Sequence, residues 1–473
     1  MADTQVLVAS NRGPVSFSME DDGALSMRRG GGGLVSALTG LSGDILWVCA
    51  TLSDADRAAA RRVPDGRLDV PGIGPVRMLD IPAGTFHRAY NAVANSTLWF
   101  VHHMLYDTPN KPHFDARSRR DWQSYEAYNA VFADALARDA SYGAKVAVQD
   151  YHLALVPKLL RERRPDVKIT HFSHTPWSPP EYYRLLPDDI GRQVLEGILG
   201  ADHAGFQTER WAEAFFDCCA AVLRASVDRR AHTVTHRGNV TRVGVHGLGV
   251  DGDALRARAM EPDVSARAAA LREQVGDRRL IVRIDRTELS KNIVRGLAAY
   301  RELLAKHHEW HGRVVHLAFA YPSRHDLPEY REYTAAVQRI AAEICDEFGR
   351  EAWDPLILQV NDDYPRSLAA YGMADVLLVN PIRDGMNLVA KEGPTLSKRG
   401  CALVLSGEAG AAAEMSSDAI MVNPYDVTQT AEALHQALLM PADERAERCE
   451  RLAEAATALP PQRWLADQFA ALT

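Results

Sequence analysis

Long apolar runs, paired-cysteine spacings and blocks of basic charge are all missing from this 473-residue chain. No apolar stretch approaches the roughly 20 residues that a membrane-spanning helix needs, so the sequence predicts no membrane partner. Its six cysteines, two of them adjacent at Cys218 and Cys219, form neither a CxxC metal pattern nor a disulfide framework. Reduced thiols and a cytoplasmic location are the expectation. The formal net charge is −8, with no run of lysine and arginine, which excludes nucleic acid as the main partner. The chain passes from Met1 straight into a strand-like segment, without a signal-type leader. No repeat of solenoid period is present.

The content that remains is ordinary for a folded soluble chain: 47% hydrophobic and 25% charged residues. The length exceeds what one core usually organises. Composition turns Ala/Arg-rich after Val250, which divides the chain into residues 1–250 and 251–455. A last segment, 456–473, carries a helix expected to pack back on the first domain. Strand signals recur as short buried apolar runs at Val6–Ser10, Ile45–Cys49, Val76–Ile81, Leu98–Val101, Lys145–Gln149, Lys168–Ser173, Arg279–Asp285, Arg313–Ala320, Pro355–Val360, Ala374–Val379, Ala402–Ser406 and Ala419–Val422. Helical segments separate many of them, such as Leu153–Arg163 and a helix from Ile293. The fold class is therefore α/β, doubly wound, twice over.

In such sheets ligands bind beyond the carboxyl ends of the strands, and polar residues accumulate there. Arg383-Asp384-Gly385-Met386-Asn387 follows the apolar strand run Ala374–Pro381, which Pro381 ends, and a helix is expected from Asn387 onward. Helix-start N–H groups favour an anion. Glu392 lies one turn further on, placed to accept hydroxyl hydrogen bonds. The alternative is a plain turn and cap built by Asp384 and Asn387. In the first half, Asn11-Arg12 follows a strand, and Gly30–Gly33 opens a helix at Leu34, a layout that lets backbone approach a phosphate. Tyr90 and Trp99 read either as site residues or as core aromatics. Asp150 and His174 stand at the tips of consecutive strands joined by a helix, which puts both on one rim. Arg283 and Lys291 flank a strand-to-helix loop, where two cations suit a diphosphate. Arg324 follows the strand ending at Ala320.

Taken in order, these motifs resemble the trehalose-6-phosphate synthase family of retaining glycosyltransferases. The resemblance runs from Ser10-Asn11-Arg12 to Asn423-Pro424-Tyr425-Asp426 through Gly32–Leu34, Gln149–His152, Phe172–Pro176, Pro322–Arg324 and Arg383–Glu392. It implies GT-B architecture, with two Rossmann-like domains facing across a cleft. It gives Arg12, Tyr90, Trp99 and Arg324 to the phosphate of glucose 6-phosphate, and Asp150 to the acceptor sugar. His174 goes to the donor glucose and reacting centre, Gly32 and Gly33 to the donor phosphates, and Arg283 and Lys291 to the diphosphate. Asp384 and Gly385 go to the donor glucose, the backbone of Met386, Asn387, Leu388 and Val389 to the diphosphate, and Glu392 to the ribose. No cofactor and no catalytic metal are implied. The implied substrates are a nucleoside diphosphate glucose and glucose 6-phosphate; whether the chain forms a homo-oligomer is left open.

The loop Arg283–Asn292 is about three residues longer than the R-[LI]-D-Y-[ST]-K-G that UDP-glucose users commonly carry, and it lacks the glycine. Asp362-Asp363-Tyr364 is unusual at the base side. Guanine offers two donors to a carboxylate, so GDP-glucose is the expected donor, with Asp362 or Asp363 reading the base. The rivals are a pseudo-glycosyltransferase joining an activated cyclitol to an aminocyclitol phosphate, a silent sugar-phosphate-binding module, and a nucleotide-sugar phosphorylase or epimerase.

Overall fold

The structure, a computed structural model, describes residues 4–30, 45–63, 66–324 and 326–472. Gly32 and Gly33 lie outside the described residues. The chain forms two compact units, residues 1–247 with 461–473 and residues 248–460.

The first unit is built on a ten-stranded sheet. Seven strands are parallel, in the spatial order Gly74–Leu79, Ile45–Ala50, Thr4–Ser10, Ala140–Gln149, Lys168–Ser173, His203–Phe206 and Asn239–Val245. Numbered along the chain, this is 3-2-1-4-5-6-7. The order reverses between the first and fourth strands, and that switch point is where doubly wound sheets open a crevice. Antiparallel strands extend both edges. Val146, Ala147 and Val148 are fully buried in succession, as expected of a strand covered on both faces. The helix Pro461–Ala470 belongs to this unit: Trp464 meets the Phe172 ring edge-on at 4.8 Å, and Lys145 Nζ donates to the Phe469 carbonyl.

Leu98–Val101 is not a strand. Trp99–His102 is α-helical and continues a π-wound stretch, Arg88–Leu98. Leu98, Trp99, Phe100 and Val101 are buried, and the stretch Arg88–Leu98 packs against the helix Ala116–Asp139. A four-residue apolar run cannot be assigned to strand or helix by periodicity, and here the buried side is a helix face. Val15–Met19 and Leu25–Arg29 form an antiparallel hairpin.

The second unit holds six strands, all parallel, in the order Leu356–Gln359, Val314–Tyr321, Arg279–Arg286, Val376–Val379, Ala402–Ser406 and Ile420–Val422. This is 3-2-1-4-5-6, the Rossmann order. Its switch point lies between Arg279–Arg286 and Val376–Val379. Apolar residues from both faces of the sheet form two cores, one around Leu377 and Leu403 and one around Ile281 and Leu378. Among the described residues no helix is long and apolar enough to cross a membrane.

Candidate functional site

The polar residues of each unit gather at its switch point. In the first unit, Ser10 ends the first strand, and its hydroxyl accepts from the Trp47 indole (2.6 Å) and donates to the Arg12 carbonyl (2.6 Å). Asn11 is buried and accepts from the Tyr128 hydroxyl at 2.6 Å. These bonds fix the backbone that presents Arg12. The Arg12 guanidinium is exposed and donates to the Tyr90 hydroxyl at 3.3 Å. Tyr90 stacks on His152 at 5.6 Å.

Asp150 begins the turn after the fourth strand with φ +72°, a conformation costly for any residue but glycine. Its N–H donates to the Phe172 carbonyl at 2.7 Å, and its carbonyl accepts from Leu153 N and His171 Nε2. Those bonds hold the strained turn. The Asp150 carboxylate accepts from the His174 backbone N–H at 3.1 Å, so the two rim residues meet directly. The His174 ring sits between Gln149 Oε1 at 2.9 Å and Gln207 Nε2 at 3.4 Å. Burial lowers its pKa to about 4, leaving it neutral. With Nε2–H donating to Gln149, Nδ1 accepts from Gln207. Trp99 is buried, stacked on His103 at 3.8 Å and tilted against Tyr151.

In the second unit, the loop after the first strand meets the loop after the fourth. Ile382 N donates to the Ser290 carbonyl at 2.8 Å. Asn292, at φ +57°, donates to the carbonyls of Asn380 and Pro424. Across this seam Lys291 Nζ reaches Asp384 Oδ2 at 2.5 Å, and Asn387 Nδ2 donates to the same oxygen at 3.0 Å. Asn387 also caps the helix Val389–Leu396, accepting from Ala390 N at 3.2 Å. Gly410 lets the Asp384–Met386 turn close, because a Cβ there would lie 1.9 Å from the Gly385 carbonyl oxygen.

Arg283 is fully buried and faces inward. It ion-pairs with Asp285 at 2.7 Å and donates to the carbonyls of Lys291 and Ile293. Its guanidinium shapes the loop, so Lys291 is the cation of this pair that carries exposed surface. Gly296 makes room for it, since a Cβ would lie 2.1 Å from Arg283 Nη1. Asp363 is taken up as a helix cap, accepting from Arg366 N at 3.0 Å, and ion-pairs with Arg267 at 2.7 Å. Asp362 is exposed. Arg324, at φ +49°, donates to the Tyr330 hydroxyl at 2.7 Å.

The sequence reading missed Glu288. It is fully buried, accepts from Ser323 Oγ at 3.0 Å and pairs with Arg286 at 3.2 Å. Burial opposes its charge, but Arg286, Arg324 and Lys291 outweigh burial and hold its pKa at about 2. Nothing local distinguishes it from any loop glutamate. Tyr371 was missed too; its hydroxyl donates to Glu392 Oε2 at 3.0 Å.

Glu392 yields a prediction. Burial raises its pKa from 4.5 to about 7, against the opposing Tyr371 hydrogen bond. The folded state therefore binds more protons than the unfolded state between about pH 4.5 and 7, and this group's contribution to stability falls through that window. Allowing for its partial exposure, the cost at pH 8 is about 2 kcal/mol. Glu392→Gln removes the cost. Urea midpoints at pH 5 and pH 8 should separate less in the variant than in the wild type; equal separations would count against the assignment.

One group of metal-ligating types occurs among the described residues, at His307, Glu309 and His435. The two imidazoles stack face to face at 3.6 Å, and the Trp310 indole donates to His435 Nδ1. Lone pairs in parallel ring planes do not converge on one ion. His307 also lies beyond the far end of the helix Ile293–Lys306, about 20 Å from Lys291 by helical rise.

The family model for glycosyltransferase family 20 matches residues 4–473. The chain belongs to that family. It is 34% identical over 479 residues to a bifunctional trehalose-6-phosphate synthase/phosphatase of Thermoproteus tenax, covering 98% of this chain and 62% of that protein. It is 32% identical over 453 residues to a UDP-forming alpha,alpha-trehalose-phosphate synthase of Schizosaccharomyces pombe, covering 93% of this chain and 85% of that one. The crystal structure of a UDP-forming alpha,alpha-trehalose-phosphate synthase from Burkholderia xenovorans in complex with glucose-6-phosphate superposes with a TM-score of 0.86 at 25% identity, covering 99% of both chains. The family's fold is GT-B, and this member is a glycosyltransferase.

Proposed function

We propose that this chain is a trehalose-6-phosphate synthase, transferring glucose with retention from a nucleoside diphosphate glucose to the anomeric hydroxyl of glucose 6-phosphate. The products are trehalose 6-phosphate and the nucleoside diphosphate. The observation that carries the reading is the Lys291–Asp384–Asn387 cluster at the second switch point, beside the start of the helix Val389–Leu396. Lys291 meets the leaving diphosphate as a point charge, and the helix start adds N–H groups of the same polarity. Asp384 orients Lys291 and accepts from a donor-glucose hydroxyl. Glu392 takes the ribose. In the first unit, Arg12 with Tyr90 holds the acceptor phosphate and Asp150 the acceptor sugar. His174, neutral and fixed by two glutamines, hydrogen-bonds at the reacting centre without supplying charge. The leaving phosphate oxygen takes the acceptor hydroxyl proton as the glycosidic bond forms on the same face, so no protein base is assigned. Rate enhancement comes from charge stabilisation and positioning.

We take UDP-glucose as the donor, because the S. pombe and Burkholderia relatives are UDP-forming by name. The expected preference for GDP-glucose rested on two carboxylates, and Asp363 is engaged by the helix cap and Arg267. The test is product formation with glucose 6-phosphate and each donor. UDP-glucose should give trehalose 6-phosphate with kcat/KM at least equal to that of GDP-glucose, and Asp362→Ala should shift the ratio by less than about threefold, well below the loss of a buried base contact. A GDP-glucose preference that Asp362→Ala abolishes would restore the guanine reading. No product from either donor would overturn the synthase itself.

A further inference from the structure

Away from the switch points, the second unit contains a thiol pair to which the proposed transfer chemistry gives no role. Cys401 immediately precedes the strand Ala402–Ser406, and Cys449 lies in the helix Ala442–Thr457. Both are buried free thiols, and their sulfurs are 3.8 Å apart across 48 residues of sequence. That is van der Waals contact between sulfurs, against the roughly 2.05 Å of an S–S bond. The two segments are pressed together beside the pair: a Cβ at Gly400 would lie 2.7 Å from the Ala446 Cα.

The surroundings are electropositive. Arg445 stands one helical turn before Cys449, four residues apart and so on the same face. It is 4% exposed, and its Nε and Nη1 have no hydrogen-bond partner. Its nearest carboxylate, Asp375, is 3.6 Å away and already bonded to Arg279 and to Leu280 N. A buried guanidinium with unused N–H groups beside a thiol is the setting that favours thiolate.

We propose that Cys449 and Cys401 form a peroxide-reactive site, with Cys449 as the attacking thiol and Cys401 as the resolving one. The Cys449 thiolate attacks one oxygen of hydrogen peroxide and breaks the O–O bond. The displaced oxygen leaves as water after taking a proton, and Cys449 becomes a sulfenic acid. The Cys401 sulfur, losing its proton, then attacks the Cys449 sulfur; an S–S bond forms and the sulfenic oxygen leaves as a second water. Two thiols are oxidised, one peroxide is reduced, and a thiol reductant reverses the step. Contact with the Cys401 thiol lowers the Cys449 pKa against the opposing effect of burial, and Ser397 and Arg445 lower it further. Cys449 Sγ also lies 3.7 Å from the Pro394 carbonyl, in the helix that carries Glu392. The cross-link would therefore tie that helix's neighbour to the central sheet.

The test treats the reduced full chain with hydrogen peroxide, followed by intact mass and non-reducing peptide mapping. The expected product has lost two hydrogens, joins the Cys401 and Cys449 peptides, melts at a higher temperature and reverts with dithiothreitol. Cys401→Ser should halt the reaction at a Cys449 sulfenic acid that dimedone captures, and Cys449→Ser should form neither. Arg445→Gln should slow cross-linking about tenfold, and Arg445→Lys, which keeps the charge, should restore most of the rate should the glutamine variant fold poorly. A cross-link at Cys218–Cys219 instead, dimedone capture undiminished in Cys449→Ser, or a rate indifferent to both Arg445 variants would overturn the proposal.

Discussion

Replacing Lys291 with alanine is expected to lower kcat about a thousandfold, the upper end of what losing one preorganised electrostatic group costs. Burial opposes the charge on Lys291, but Asp384, Glu288 and Asp285 outweigh burial and raise its pKa, so it is a cation throughout the working pH range. Without it, Asp384 would lose its ion pair beside the leaving diphosphate. The charge that develops on the leaving group is greatest in the transition state, so kcat should fall more than donor KM rises. Lys291→Arg should restore little activity, because the larger planar guanidinium does not reproduce the compact point charge that Lys291 places beside Asp384. The checks are steady-state kinetics and a melting curve within a few degrees of wild type. A folded Lys291→Ala variant keeping more than about a tenth of kcat would remove Lys291 from the mechanism.

Arg12→Ala should act on the other substrate. The Arg12 guanidinium is exposed and meets a neutral hydroxyl, that of Tyr90, which leaves its charge for a phosphate. Charged hydrogen bonds of this kind contribute roughly 1.5–3 kcal/mol, so the KM for glucose 6-phosphate should rise about fiftyfold. The phosphate does not react, so it is held equally in ground and transition states and kcat should change little. Equal falls in kcat and kcat/KM, or an unchanged KM, would place Arg12 elsewhere. Tyr90→Phe should show a smaller effect in the same direction.

Most of the strands were legible because a parallel strand buried on both faces is a local signal. The runs at Lys168–Ser173 and Ala402–Ser406 match the structure at both ends. The reading failed at Leu98–Val101, where a short apolar run is equally compatible with a buried helix face. The positions of Asp150 and Asp384 just beyond strand ends were legible, because a strand end is marked by local signals. Asp363 misled because a carboxylate before Tyr364-Pro365 serves a helix cap as well as it would a base. The burial of Glu288 and Arg283 was not legible, because enclosure of a charged side chain depends on segments distant in sequence.

The sequence by itself determined the α/β alternation, the strand ends and the polar residues placed beyond them, because strand and helix signals depend on neighbours a few positions away. Only the tertiary structure decided which tips share a switch point, since strand order in a sheet is set by packing between distant segments. That is what brings Lys291 to Asp384 across 93 residues, turns Arg283 inward and sets Cys401 against Cys449 across 48.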